Sequence, residues 1–326
     1  MKREKRRLWL TIVGATLLTV IINFQPIDHY VHTIKEKEAV SVSVNVDEKE
    51  RLREMIEKWK EGREEAPIDA KVDQTWKAIP GYNGLIVDVE ASLEKMLTAK
   101  NPGPELLVYK EVEPAVSLKQ LGAHPVYRGN PMKPAISFMV NVAWGNEYLD
   151  SMLNTLDKHQ VKTTFFLDGS WAKKYPDEVK KIAQRGHEIG NHAYSHPDMK
   201  NLGVDRIHQE IHRTQEVVFQ TLGSRPTLFA PPSGSFNQRV VDIAHSSYQM
   251  QTILWTADTI DWQKPSPQTV IQRITKKMEN GVLVLMHPTA ASEASLDHLL
   301  TLAKQKGLVP TTVSELLSSK RFPKNS

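Results

Sequence analysis

After Pro134 the sequence predicts an α/β fold, a distorted or incomplete (β/α) barrel of about seven strands. Two observations predict it. Apolar runs of strand length at 135–140, 163–167, 188–190, 228–229, 252–255, 282–286 and 309–313 alternate with helical patterns at 148–159, 177–184, 205–222, 238–244, 269–278 and 294–305. That alternation is the mark of a parallel sheet with crossover helices. The stretch is also short for eight full strand–helix units, which leaves the barrel incomplete. Functional side chains of such a barrel sit just past the C-terminal ends of its strands.

The 326 residues suffice for one large domain and smaller pieces, and a composition of 40% hydrophobic and 25% charged residues excludes wholesale disorder. There is no cysteine, which removes disulfides, thiolate metal ligands and a cysteine nucleophile together. The net charge of +4 is small, and Lys2, Arg3, Lys5, Arg6 and Arg7 alone exceed it. No zinc knuckle, basic helix or aromatic–basic stripe points to nucleic acid, so none is expected as a partner.

Those N-terminal cations precede an uncharged apolar run at 8–24, near the shortest length that spans a bilayer. No small-x-small cleavage site follows, since residues 25–30 read QPIDHY. The expectation is a cytoplasmic basic tip and an uncleaved transmembrane helix within 1–30. The remainder is then membrane-anchored and extracytoplasmic.

Two smaller pieces are expected before the barrel. Residues 31–65 are highly charged and carry Leu52, Met55, Ile56 and Trp59 at helical spacing, a stalk helix with a narrow apolar stripe. Residues 66–122 read as a small α+β domain. It has a turn at Gly81 and Asn83-Gly84, a strand at 85–87, a helix at 89–100 capped by Asp88, and a strand at 105–112. The Pro- and Gly-rich linker 122–134 marks the boundary with the large domain, set at 126–322.

The strand ends carry the chemistry-bearing residues. GHEIGNHAYSHPD follows the third strand and sets His192 and His196 four apart, a spacing that lets two imidazoles share one metal. Pro197 forbids an ordinary continuing helix there. A second pair, His208 and His212, flanks Ile207 and Ile211 and reads as the solvated edge of an amphipathic helix. GVLVLMHP leaves His287 at a strand tip, and LWTADTIDW ends on Asp258, Asp261 and Trp262. MVNVAWGNEY follows the first strand and LFAPPSGSFN the fourth.

These five segments, in this order and spacing, resemble the polysaccharide deacetylase family (NodB homology, carbohydrate esterase family 4) over roughly residues 133–317. KTTFFLDGSW, GHEIGNH, NHAYSHPDM, APPSGSFN, LWTADTIDW and VLVLMHPTAA are all similar to family blocks. The likeness is strongest to the deacetylase-like proteins associated with spore formation in Gram-positive bacteria. The resemblance implies hydrolysis of an N-acetyl group on a cell-wall glycan, peptidoglycan or chitin-like, assisted by a divalent metal such as zinc. It implies His192 and His196 as metal ligands and His287 as general acid, steadied by Asp261. It also implies the Ser233 backbone N–H as oxyanion donor, with Trp255, Trp262 and Pro232 lining the substrate groove. The chemistry is coherent: a cation polarises the carbonyl, a carboxylate takes a proton from water and an imidazolium returns one.

The sequence departs from that pattern at several positions. Asn141 stands where the resemblance puts the base aspartate, and Val142 or Ala143 where it puts the metal aspartate. No carboxylate lies between Ser137 and Gly145, so no shift of register restores the pair. Ala230 replaces an arginine, Ser233 a tyrosine, and Pro288 the residue after the acid histidine. An amide oxygen cannot act as a base near neutral pH, and losing a general base costs roughly 10²–10⁴ in rate. Two imidazoles alone fall short of the usual three protein ligands. The expectation is a glycan-binding protein with weak or absent deacetylase activity, holding metal weakly or not at all. Two alternatives stay open. One is an active deacetylase with a rearranged site, for which Asp168 and Glu147 are the nearest replacement carboxylates. The other is a structural envelope or spore-assembly protein with a vestigial groove.

Overall fold

The computed structural model describes residues 32, 35 and 46–322, and the apolar run at 8–24 lies outside them. Among the described residues no helix is long and apolar enough to cross a membrane. The chain forms two compact units, one running to Glu64 and including Ile86–Lys110, the other comprising Glu65–Leu85 and everything from Glu111 onward. That division cuts across the segment 66–122 that was expected to form one domain. The reason lies in the apolar stripe of the helix at 46–59. Leu52 and Ile56 are buried in one core with Val87, Leu107 and the residues Leu93 and Met96 of helix Val89–Leu97. Asp88 caps that helix as expected, its Oδ1 accepting the Ala91 N–H at 3.2 Å.

Four short strands precede the barrel: β1 (Lys71–Asp73), β2 (Lys77–Ile79), β3 (Gly84–Val87) and β4 (Tyr109–Val112). The barrel strands are β5 (Ala135–Val142), β6 (Thr164–Leu167), β7 (Glu188–Asn191), β8 (Leu228–Phe229), β9 (Gln251–Thr252), β10 (Ala257–Asp258), β11 (Val282–Met286) and β12 (Val309–Pro310). They pair in parallel in the order β10-β11-β5-β6-β7-β8-β9, with β12 joining the start of β5. The order does not close, so the barrel is incomplete. β9 and β10 are joined only by residues 253–256, too few for a crossover helix, and each stays at an end of the sheet. Linker residue Val126 pairs beside that opening: its N–H donates to Thr252 O at 2.9 Å and its carbonyl accepts the Leu254 N–H at 2.8 Å.

β5 is buried along its whole length between β6 and β11. Its side chains alternate between two layers. Ile136, Phe138, Val140 and Val142 join the outer core with Leu149 and Met152 of helix Asn146–Lys158. Ala135 and Met139 join the inner core with Phe166, Leu283 and Leu285. The same alternation puts Asn141 on the inner face, at the C-terminal end where the site is expected.

Some elements differ from the sequence pattern. Of the strand expected at 252–255 only Thr252 falls in β9, and the rest lies in the connection to β10. The strand expected at 309–313 stops at Pro310, because Thr312 and Glu315 form a capping box that starts helix Val313–Leu317. Helix Gly169–Lys174 was not expected; it begins at Asp168, which caps the Trp171 N–H at 3.0 Å. The strand expected at 105–112 begins only at Tyr109, since Pro104 opens a 3-10 turn.

Two histidines make the barrel sensitive to acid. Burial pushes His187 down to about 4 and His192 down to about 3 from a model-compound value of 6.5. Below 6.5 the unfolded chain takes up protons that the folded rings refuse, so stability falls as pH drops through that window. Urea unfolding midpoints should decline steadily from neutral pH toward pH 4; a flat profile would contradict the burial of these rings.

Candidate active site

The C-terminal ends of β5 to β11 carry the candidate residues. His192 follows β7 directly, its N–H donating to Leu167 O at 3.0 Å. Its Nδ1 lies 2.7 Å from the Ala230 carbonyl, so Nδ1 carries the proton and Nε2 is left as an acceptor. Burial first, and the neighbouring His196 second, keep this imidazole neutral. The His192 and His196 rings meet edge to face with centroids 5.2 Å apart. Ala193 at φ 59° and His196 at φ 53° both occupy the left-handed region that side chains avoid, so the loop is strained.

Glu210 holds that loop in place. Its buried carboxylate accepts the N–H groups of Tyr194 and Ser195 and the Ser195 hydroxyl, each at 2.8 Å, and pairs with Arg206 at 2.6 Å. Asn191 acts from the strand side: Oδ1 accepts the Ala193 N–H at 2.9 Å and Nδ2 donates to Ile211 O at 3.0 Å. Sequence reading missed Glu210. Its one signal is position, on the buried face of helix Val204–Leu222 with Ile207, Ile211 and Thr214, where a carboxylate must be paired. On the same helix His208 reaches Tyr248, with Nδ1 and the phenolic oxygen 3.1 Å apart, and does not join the site.

His287 follows β11. Its Nδ1 lies 2.8 Å from Asp261 Oδ1, and its backbone N–H donates to Oδ2 at 2.7 Å. The Ser292 hydroxyl donates to the same Oδ2. Burial alone would push Asp261 up, but the His287 hydrogen bond and charge, with the other two donors, hold it below the usual carboxylate range. With Nδ1 protonated, Nε2 of His287 is the reactive nitrogen. Trp144 stacks on this ring, centroids 5.4 Å apart and planes 13° from parallel. Neither Ser292 nor Trp144 was expected here.

Asn141, Ser233, Trp255, Trp262, His196 and His287 come together around one cavity of about 430 Å³, with Trp144, Asp258 and Leu285. Asn141 is buried and its Oδ1 makes no hydrogen bond. Ser233 sits at φ 54°, and Trp255 lies so close to Gly234 that a Cβ there would meet its ring at 2.8 Å. Pro232 is buried and does not line the cavity. A second cavity of about 630 Å³ shares Trp144 and Trp262 and adds Glu147, Tyr148, Lys264 and Thr289. Trp144 is 44% and Trp262 58% exposed, so Trp262 and the side of Trp144 turned away from His287 are open to stack on a ligand.

The metal that the resemblance implies needs an anionic ligand beside the two histidines. Val142 is committed to the outer core and Ala143 carries no donor. Asp168 is buried and feels the charge of His196, but its Oδ1 already accepts the Ser170 hydroxyl at 2.5 Å and the Trp171 N–H at 3.0 Å. Burial pushes its pKa up, and its Oδ2 has no partner. Glu147 lines only the second cavity. Among the described residues no three His, Cys, Asp or Glu side chains converge as a metal ion requires. The residues present therefore do not fit a complete metal site.

Fold and site together define an incomplete (β/α) barrel with a His287–Asp261 pair at its mouth and an amide, Asn141, at the inner end of β5. The chain belongs to the polysaccharide deacetylase family, whose model matches residues 128–252. It is similar to the protein YlxY of Bacillus subtilis, 47% identical over 295 residues that cover 90% of this chain and 91% of that one. It is also similar in structure to wild-type BA3943 of Bacillus anthracis, a CE4 family pseudoenzyme, with TM-score 0.78 and 43% identity over 83% of this chain and 96% of that chain. The peptidoglycan-N-acetylglucosamine deacetylase of Bacillus cereus is 31% identical over 180 residues, 54% of this chain and 65% of its own.

Replacing Glu210 by alanine strips the strained loop of its acceptor, leaving the Tyr194 and Ser195 N–H groups without a partner, while the half-exposed Arg206 turns to water. Glu210→Ala should lower stability by roughly 1–3 kcal/mol, the range for donors left unsatisfied. Urea denaturation measures it, and a loss under about 1 kcal/mol would mean that the loop is held otherwise.

Proposed function

We propose that this chain is a deacetylase-like pseudoenzyme of the cell envelope that binds N-acetylated glycan, peptidoglycan or chitin-like, and hydrolyses it hardly above background. The observation that carries this reading is Asn141, a buried amide at the inner end of β5, in the same cavity as an intact His287–Asp261 pair. Asp261 would hold His287 in the tautomer that serves a leaving amine, and the Ser233 N–H would support an oxyanion. Trp255 and Trp262 would bound the groove, with Pro232 behind them. An amide at 141 takes no proton from water, so the rate falls by roughly 10²–10⁴. Zinc or a similar ion would have only His192 and His196, and would bind weakly. A BA3943 mutant, a CE4 family pseudoenzyme with restored enzymatic activity, matches this chain with TM-score 0.78 and 42% identity. That likeness supports a scaffold whose remaining machinery is sound.

The wild-type protein lacking its first 45 residues should release acetate from N-acetylglucosamine oligomers hardly above background. Asn141→Asp combined with an aspartate at Val142 or Ala143 should raise both metal occupancy and rate. Either change alone should do little, because base and metal act as a unit. Robust wild-type activity that His192→Ala abolishes would instead favour the rearranged site, for which the unpaired Oδ2 of Asp168 is the relevant observation.

The same proposal sets the glycan-binding domain outside the membrane, anchored through residues 8–24, with the N-terminus in the cytoplasm and an envelope or spore-associated role. The five cations before that run support this orientation. Full-length protein should pellet with membranes and be cut by external protease. Mature protein beginning beyond residue 25 in the medium would sink the uncleaved anchor.

A further inference from the structure

The central cavity is rich in acceptors and aromatic faces, and among the described residues no lysine or arginine lines it. Asp258 contributes a carboxylate whose one hydrogen bond among the described residues is accepted by Oδ1 from the Ile260 N–H at 2.7 Å. Asn141 contributes a buried amide oxygen without a partner. Trp144, Trp255 and Trp262 supply the faces. A carboxylate and an amide oxygen among tryptophan rings suit an ammonium group, which brings three donors and a charge that aromatic faces attract.

An N-acetyl group suits the same cavity less well. It brings one donor and a carbonyl oxygen, and among the described residues lining the cavity no lysine or arginine meets that oxygen, which is left to the Ser233 N–H. With no metal carboxylate beside His192 and His196, a cation there would be held weakly, while the acceptors at the mouth remain. We propose that the cavity selects glycan residues whose amine is free, so that this chain recognises de-N-acetylated cell-wall polymer in preference to the acetylated form. The second cavity, across Trp144 and Trp262, gives the adjoining sugar a place in the same groove. This rests on the glycan-binding reading above and names its substrate class. Bulk electrostatics does not produce the preference, because the net charge of +4 comes from the first seven residues and the rest of the chain is formally neutral.

Calorimetric titration of the wild-type protein, with chelator present, compares a β-1,4-linked glucosamine tetramer with the N-acetylglucosamine tetramer. At a pH where the amine is protonated, the glucosamine tetramer should bind about tenfold tighter. Raising the pH until the amine is neutral should erase the difference. Asp258→Asn keeps an oxygen for the Ile260 N–H and should lose most of the preference. Asp258→Ser, which also keeps an oxygen there, is the second variant should the first misfold. Equal or tighter binding of the acetylated tetramer would overturn the inference and leave glycan binding standing, as would a preference undiminished in both variants. Failure of both tetramers to bind would overturn the glycan reading itself, and this inference with it.

Discussion

The site depends on the two-residue alternation of β5. A strand paired on both sides and buried on both faces cannot turn a side chain from one layer to the other without breaking its ladder. Phe138 and Val140 belong to the helix-facing layer, so Met139 and Asn141 must face the lumen. Val142 then returns to the helices and shares their core with Leu149 and Met152. A fully buried valine contributes about 1.5–3 kcal/mol. An aspartate at 142 forfeits that contribution unless a cation draws it toward the mouth. Metal binding and core packing thus compete for this position, and in this chain packing has it.

Buried charge at the mouth is handled in three ways, and the differences are informative. Glu210 has donors from Tyr194 and Ser195 and the cation of Arg206. Asp261 has His287 twice and Ser292 once. Both carboxylates are complete, which is what a low-dielectric interior demands of an ionised group. Asp168 is complete on one oxygen only. Its burial and raised pKa mark it as the mouth carboxylate that holds its charge least securely. A helix cap needs one oxygen, and the cap explains Asp168 without a metal.

Most of this was legible in the sequence because it was written in local periodicity. The run at 282–286 coincides with β11, that at 228–229 with β8, and the helix Val204–Leu222 starts one residue from its expected bound. The inward aim of Asn141 follows from its two-residue spacing to Met139. What failed to show lacked a local signal. Helix Gly169–Lys174 is too short to express a helical period. The partner of Glu210 is a loop backbone many residues away, and backbone donors leave no trace in side-chain identity. The opening between β9 and β10 is lined by Val126 from the linker, a contact set by tertiary packing alone. The helix at 46–59 was legible as amphipathic, but its apolar stripe could not name Leu93 and Met96 as its cover.

Two groups of residues survive at the mouth, and they carry different information about function. The His287–Asp261–Ser292 cluster is buried and mutually satisfied. Removing one member would strand another, at a cost of several kcal/mol, so the cluster is maintained by stability whether or not it transfers a proton. Its presence is weak evidence for catalysis. Trp144 and Trp262 are different. Their exposure means that they leave apolar surface in water, and Trp262 in particular contributes little to any core. Stability gives no reason for two exposed tryptophans bordering the same pair of cavities. The proposed groove would supply one, since flat aromatic faces beside polar acceptors suit a sugar ring with an amine. Folding alone accounts for the buried cluster, and the exposed tryptophans are the part of the mouth on which the binding proposal stands.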